Sequence, residues 1–458
     1  MSTRHYRKAA VLALVATVGL GVAACSSSKS SSDASGHTTI SVDCPPLSTD
    51  QGGKSLAAWK SDVAAFEKQN PDITIDTVSV GAQCDNPPDF TARLAGNTET
   101  TMYYAYMTDT AQVLDAGQAV DITKYLDEGD LPEWKSMTDS VKAPFTVDGK
   151  VYGVGYAGYT MGLVINTKLF KQANLDPTTP ITTWQQVATD AKAISALGNN
   201  VVGYEDYSAG NTGGWHFAAE LYSRGGKMVS DDGKTATFNS PQGAAVLQNL
   251  HDMRFGDNSM GTKQLLQWGD LLGNAGAGKV GMFIGAPDTV TAIATQFKGD
   301  ATDWAMDPMP GDNGPAVGTL GGGSGYIFKP GDTPAQIKAG LKWVAFEDLT
   351  PGQGQFNFVT QKAENIQVGI PEPEPFVQGS DLQVQLDKLK TASATLPVTE
   401  FDNYVKNPVP IIVEPPDAQA IYAQLDKAMS AVLTQSNANI PQLLATATKS
   451  VNTILAAS

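Results

Sequence analysis

The chain switches repeatedly between helical and extended periodicity, and this alternation restricts it to few architectures. In SLAAWKSDVAAFEKQNPDITIDTVSV (residues 55–80), Leu56, Trp59, Val63 and Phe66 recur at helical spacing, with Ser55 as the expected cap and Asn70-Pro71 as the stop. Ile73, Ile75 and Val78 then mark an extended segment. Another helix is expected around Asp89–Ala95, followed by an apolar strand in TTMYYAYM. TTWQQVATDAKAISALG carries Thr183 and Gln186 at capping-box spacing, with Trp184, Val187, Ala191, Ile194 and Leu197 as a buried stripe. Thr333-Pro334 opens a further helix, with Ile337, Leu341 and Val344 on its inner face and Thr350-Pro351 at its end. Short β segments such as KVGMFIG and SGYIF lie between such helices, which reads as an α/β fold.

Residues 1–8, MSTRHYRK, carry Arg4, Arg7 and Lys8 without an acid, and residues 9–24, AAVLALVATVGLGVAA, are uncharged. That run falls short of the roughly 20 apolar residues that a membrane span needs. A basic start, a short apolar run and small residues make residues 1–24 a secretory signal peptide. Val22-Ala23-Ala24-Cys25 resembles the bacterial lipobox, in which the cysteine is lipidated and becomes the new N-terminus. The serine-rich stretch behind it buries too little to offset its ordering entropy, so residues 25–39 are expected to be a flexible tether outside the membrane.

The remainder is long enough for two domains with separate cores. With 47 Asp and Glu against 31 Lys and Arg, the formal charge is −16. Nucleic acid and anionic membranes reward basic patches, so neither is an expected partner. In an oxidising exterior the two remaining thiols, Cys44 and Cys84, are expected to pair. Closing a loop of about 40 residues contributes on the order of 4 kcal/mol in the chain-entropy view. No histidine lies near either cysteine, and no metal or cofactor is expected.

GNAGAGKV (residues 273–280) nearly matches a P-loop, but Val280 stands where Ser or Thr would hold magnesium. A helical segment precedes it and a strand follows, the reverse of the P-loop order. GGGSG (residues 321–325), which includes Gly322, could cradle phosphate. Without a helix start behind it, it reads better as a close approach of two backbone segments at a domain crossover. His216 and Glu220 lie four apart without an HExxH pattern, and no GxSxG elbow begins a Ser–His–acid site. Glu205-Asp206 could serve glycoside hydrolysis, although in so acidic a chain adjacent carboxylates are expected on solvated surface. No catalytic residue is assigned.

Aromatic, amide-rich loops carry the remaining chemistry. GYEDYSAGNTGGWHF sets Tyr204, Tyr207, Asn211 and Trp215 in a glycine-rich segment too polar for core. YYAYMTDT ends a strand with Tyr106, Thr108 and Asp109, and YGVGYAGYTMG offers Tyr156 and Tyr159. Flat rings suit sugar C–H faces while Asp and Asn bond hydroxyls, the mixture that a neutral polyol requires.

Several of these stretches, in order, resemble one family: the bacterial solute-binding lipoproteins of sugar ABC transporters, the maltose-binding-like class. They are LAGNTETTMYYAYMTD, VYGVGYAGYTMGLVINTKLFKQANLD, TTWQQV, GKVGMFIGAPD, and DWAMDPMPG with GTLGGGSGYIF. GNTGGWHF, together with the cysteine pair, is similar to an actinobacterial branch. The resemblance implies a two-lobed, periplasmic-binding-protein type II-like fold, with a hinge and a solute cleft between lobes. Lobe 1 would be 40–155 plus 319–375, and lobe 2 would be 156–318 plus 376–458. Trp215 would stack on sugar, Tyr159 would sit near the first crossover, and Thr108 and Asp109 would bond hydroxyls. Asp288 departs from the family, which often has tryptophan after Gly-Pro where this chain reads GAPD. The implied partners are a saccharide, permease subunits and, through the lipid, a membrane, with the protein a monomer and no enzyme. A non-sugar solute such as a polyamine or peptide is the alternative, and a secreted glycoside hydrolase a further one.

Overall fold

The computed structural model describes residues 36–46, 53–78, 87–368, 380–396, 399–415 and 417–456. The signal peptide, Cys25 and Cys84 lie outside the described residues. In chain order the strands are β1 (Thr38–Asp43), β2 (Ile73–Val78), β3 (Met102–Tyr106), β4 (Thr146–Val147), β5 (Lys150–Val151) and β6 (Gly153–Thr160). They continue with β7 (Gly162–Asn166), β8 (Val202–Tyr204), β9 (Val280–Gly285), β10 (Trp304–Pro308), β11 (Thr319–Phe328) and β12 (Ile411–Val413).

Two larger sheets organise these strands. The first runs β12-β11-β3-β1-β2, with β6 also paired to β11, and the second runs β10-β7-β9-β8. β1 pairs β2 in parallel, and the helix Lys54–Gln69 makes the crossover between them. That helix buries Trp59 and Phe66, whose rings meet Trp343 edge-on at 5.3 and 5.2 Å between centroids. Val42, Met102, Tyr103, Phe145, Ile327 and Trp343 belong to this first core. In the second sheet β7 is buried throughout. Leu163 and Ile165 point to a core shared with Trp184, Phe217 and Leu425, while Val164 points to the opposite face, with Phe283 and Trp304. Burying side chains of this size contributes about 1.5–3 kcal/mol each.

Local signals hold at most element boundaries. Thr183 accepts the backbone N–H of Gln186, and Thr333 and Gln336 form a reciprocal capping box ahead of Pro334. The first helix instead starts after Gly53, whose φ of 87° suits glycine, so Ser55 lies inside the helix rather than capping it. β1 begins at Thr38, inside the segment expected as tether, because Thr38 and Thr39 pair with Ile73 and Thr74. β6 runs unbroken through the expected boundary at residue 155. The helix Asp381–Ser393, expected with lobe 2, sends Leu386 into the first core.

The glycine run resolves as the crossover. GGGSG is the middle of β11, where Gly322 pairs with Tyr159 of β6. A Cβ at Gly322 would lie 2.6 Å from a Glu414 carboxylate oxygen and 2.7 Å from the Tyr159 hydroxyl. GNAGAGKV spans the end of the helix Trp268–Gly276 and the first residue of β9, so helix precedes strand as the sequence order indicates.

Candidate functional site

Strand ends assemble the site. In open α/β sheets ligands sit beyond the carboxyl ends of strands, where loops and helix starts converge. Tyr106 ends β3 and Thr108 follows it, Tyr207 follows β8, and Ala286, Asp288 and Thr289 follow β9. Asn211, Thr212 and Trp215 stand at the start of the helix Thr212–Ser223. These residues share one cleft of about 580 Å³ with Tyr159 of β6, Trp268, Glu414, Gln419 and Tyr422. Its walls therefore come from both sheets, with Tyr159 supplied by β6 and Glu414 following β12.

A hydrogen-bonded chain sets the ring positions. Trp215 Nε1 donates to the Tyr159 hydroxyl at 2.9 Å, and Tyr422 OH donates to Glu414 Oε1 at 3.0 Å. Tyr159 OH in turn bonds the Glu414 carboxylate. Burial pushes Glu414 up to about 7 despite these two tyrosine donors, and the nearby Asp109 raises it further. Trp215 stands at 61° to Tyr159 and at 48° to Tyr207. The start of its helix is held from behind by Asp426, whose carboxylate accepts the backbone N–H groups of Asn211 (2.6 Å) and Gly214 (2.7 Å).

Six of the nine expected ligand residues line the cleft: Trp215, Tyr159, Tyr106, Thr108, Asn211 and Asp288. Gly322 stands behind the wall, where its missing side chain admits Tyr159 and Glu414. Asp109 is a structural group of the turn after β3, because its Oδ2 accepts the Tyr106 N–H at 2.9 Å. Burial pushes its carboxyl up to about 6 against that bond. Tyr156 does not line the cleft; it is stacked on Tyr326 at 4.5 Å between centroids, at the margin of the first core. The β6–β11 register is irregular at Tyr156, between the pairs Gly155–Gly325 and Ala157–Ser324, so simple alternation does not place Tyr156 relative to Tyr159.

Trp268, Glu414, Gln419 and Tyr422 were missed. Trp268 opens its helix after a loop with no periodicity, and Glu414 and Tyr422 fall in EPPDAQAIY, a stretch without a distinct pattern. Trp268 supplies a second tryptophan to the wall even though Asp288 occupies the position where the family often has one. Glu205 and Asp206 are not on solvated surface as expected. Both are buried, Glu205 accepting from the Asn274 amide at 3.1 Å to each oxygen and Asp206 bonded to His216 Nδ1. Neither lines the cleft.

A family model described as bacterial extracellular solute-binding protein matches residues 50–349. The chain belongs to that family. A curated relative from Brucella abortus, described as a binding protein, is 24% identical over 267 residues, and the match spans 56% of this chain and 60% of the relative. Among solved structures, the cyclic α-maltosyl-1,6-maltose binding protein of Arthrobacter globiformis is similar, with a TM-score of 0.68 at 19% identity, covering 92% of this chain and 100% of that one. The sugar-binding protein MalE of Xanthomonas citri gives a TM-score of 0.70 at 14% identity over 92% of this chain and 98% of its own. The fold is that of the periplasmic binding proteins, two α/β lobes about an interlobe cleft. Among the described residues no helix is long and apolar enough to cross a membrane.

Proposed function

We propose that this family member is an extracytoplasmic receptor that captures a saccharide in the interlobe cleft and delivers it to an ABC transporter permease. The observation carrying this reading is the cleft wall, in which aromatic faces and hydrogen-bonding side chains from both sheets meet around one space of about 580 Å³. Its similarity to structures described as binding maltose-derived and other sugars supports the same ligand class. Contacts from the second lobe stabilise the closed form, so solute shifts a hinge equilibrium by its preference for that form. Trp215 stacks on the sugar, Thr108, Asn211 and Asp288 bond hydroxyls, and Trp268 extends the platform. No bond in the solute is made or broken.

The anchor belongs to the same proposal. Cleavage after Ala24 leaves lipidated Cys25, and tethering raises the effective concentration of the receptor near its permease. Cys44, which follows β1 and is disulfide-bonded, pairs with Cys84 in this account. The lobes comprise about 40–155 with 319–375, and 156–318 with 376–458, except that residues 381–393 go with lobe 1. The receptor acts as a monomer.

A thermal-shift panel of mono-, di- and oligosaccharides, with polyamines and short peptides alongside, tests the reading. A ligand at about 100 times its dissociation constant adds about 2.7 kcal/mol of stability. Stabilisation by one saccharide class, recovered unchanged after long incubation, is the expected result. Stabilisation by cations or peptides alone, or breakdown of the sugar, would refute it.

A further inference from the structure

The chemistry of the cleft wall narrows the solute beyond its being a saccharide. Among the described residues that line the cleft there is no Lys, Arg or His, while the carboxylates of Asp288 and Glu414 are part of its wall. Three polar tips that could donate to a ligand are spent inside the wall. Trp215 Nε1 is given to Tyr159, and the hydroxyls of Tyr159 and Tyr422 are given to Glu414. Aromatic faces and carboxylate oxygens are what these groups leave toward the solute, beside the hydroxyl-bonding side chains of Thr108, Asn211 and Gln419 elsewhere in the lining.

Ring geometry points the same way by an independent route. Trp215 and Tyr159 lie 5.8 Å apart at 61°, and Trp215 and Tyr207 lie 6.3 Å apart at 48°. Oblique rings make a corner beside the Trp215 face. A corner of ring faces is the shape that receives a compact cation, through the attraction of positive charge to the negative face of each ring. Glu414 stands at this corner through its bond to Tyr159. Its two tyrosine donors leave further lone-pair sites on the carboxylate, and the charged group beside it, Asp109, is itself negative.

We infer that the captured saccharide carries a protonated amine, seated between the Glu414 carboxylate and the corner formed by Tyr159, Trp215 and Tyr207. This rests on reading the cleft as a saccharide site. A hydroxyl at that position brings one donor and no charge. An ammonium brings three donors and the charge that Glu414 lacks from its neighbours.

Isothermal titration of the purified protein with matched pairs tests the inference. The probes are glucosamine, galactosamine and the glucosamine disaccharide, each against its N-acetylated and its hydroxyl counterpart, with spermidine as a separate arm. In at least one set the amine member is expected to bind about tenfold tighter than both counterparts, an advantage that shrinks as sodium chloride is raised. Glu414→Gln keeps an acceptor for the two tyrosines and is expected to abolish the advantage while retaining the melting transition. The salt series on the unaltered protein gives the same discrimination without a variant. Neutral members binding as tightly as amine members in every set, or an amine advantage indifferent to salt and to Glu414→Gln, would overturn the inference and leave the saccharide reading standing. Binding of spermidine with no saccharide of either kind would overturn the saccharide reading itself.

Discussion

Trp215 is fixed in the cleft wall by a side-chain hydrogen bond. Its indole N–H is committed to Tyr159, so the ring enters the cleft as a fixed apolar face rather than as a donor. Trp215→Ala is expected to weaken saccharide binding by about 2 kcal/mol or more, as for a buried aromatic anchor. Titration calorimetry decides this, and unchanged affinity would remove Trp215 from the site. Trp215, Asn211 and Tyr159 were legible in the sequence because aromatic rings and amides stood in glycine-rich segments where packing alone does not require them. Glu414 and Tyr422 were not. They reach the cleft only because β12 pairs with the start of β11, a contact between residues about 90 apart that no local pattern announces. Asp109 has a role that its loop did not announce: it satisfies the backbone of its own turn and is not among the residues that line the cleft.

At the scale of elements, caps and periodicity predicted most helices, since the groups involved lie within one turn of each other. Thr183, Thr333 and the Val187–Ala191–Ile194 stripe are examples. What escaped was long-range. The helix from Pro334 runs to the expected end near Thr350, but residues 345–349 form a π-helical turn that buries Glu347 and Asp348, and nothing in AFEDL signals that turn. The helix Thr212–Ser223 depends on another element for its start. Asn211, in the left-handed region at φ 72°, makes no side-chain cap, and Asp426 accepts the exposed N–H groups in its place. Asp426→Ala is expected to cost about 1–2 kcal/mol, the range for loss of a strong N-cap. Denaturant unfolding measures this directly, and an unchanged midpoint and slope would show that the cap contributes nothing.

Across the whole molecule, buried acids give stability a definite pH dependence. Burial pushes Asp43 to about 6, Glu99 to about 7 and Glu220 to about 8, against the Arg93 and Arg224 charges beside them. Burial, with Asp348 and Asp62 close by, holds Glu347 well above the usual carboxylate range, and burial does the same for Asp348. A carboxyl whose folded pKa is raised binds its proton more tightly in the native state. Its stabilising contribution is complete below the unfolded value near 4 and is lost as pH rises through the raised value. The melting temperature is therefore expected to be higher at about pH 5 than at about pH 8, and Glu347→Gln is expected to narrow the difference. A melting temperature that climbs over that interval would contradict these assignments.

The two-lobed architecture was legible as an α/β alternation plus ordered stretches resembling one family. The path of β6 through residue 155 and the contact of residues 381–393 with the first core were not, because both depend on pairing and packing with residues distant in sequence. The proposed function requires that solute be held between lobes that close on it. Small-angle X-ray scattering of the protein, alone and saturated with the saccharide found in the thermal-shift panel, tests this most directly. A smaller radius of gyration is expected in the saturated sample. An identical radius at full occupancy would contradict capture by closure.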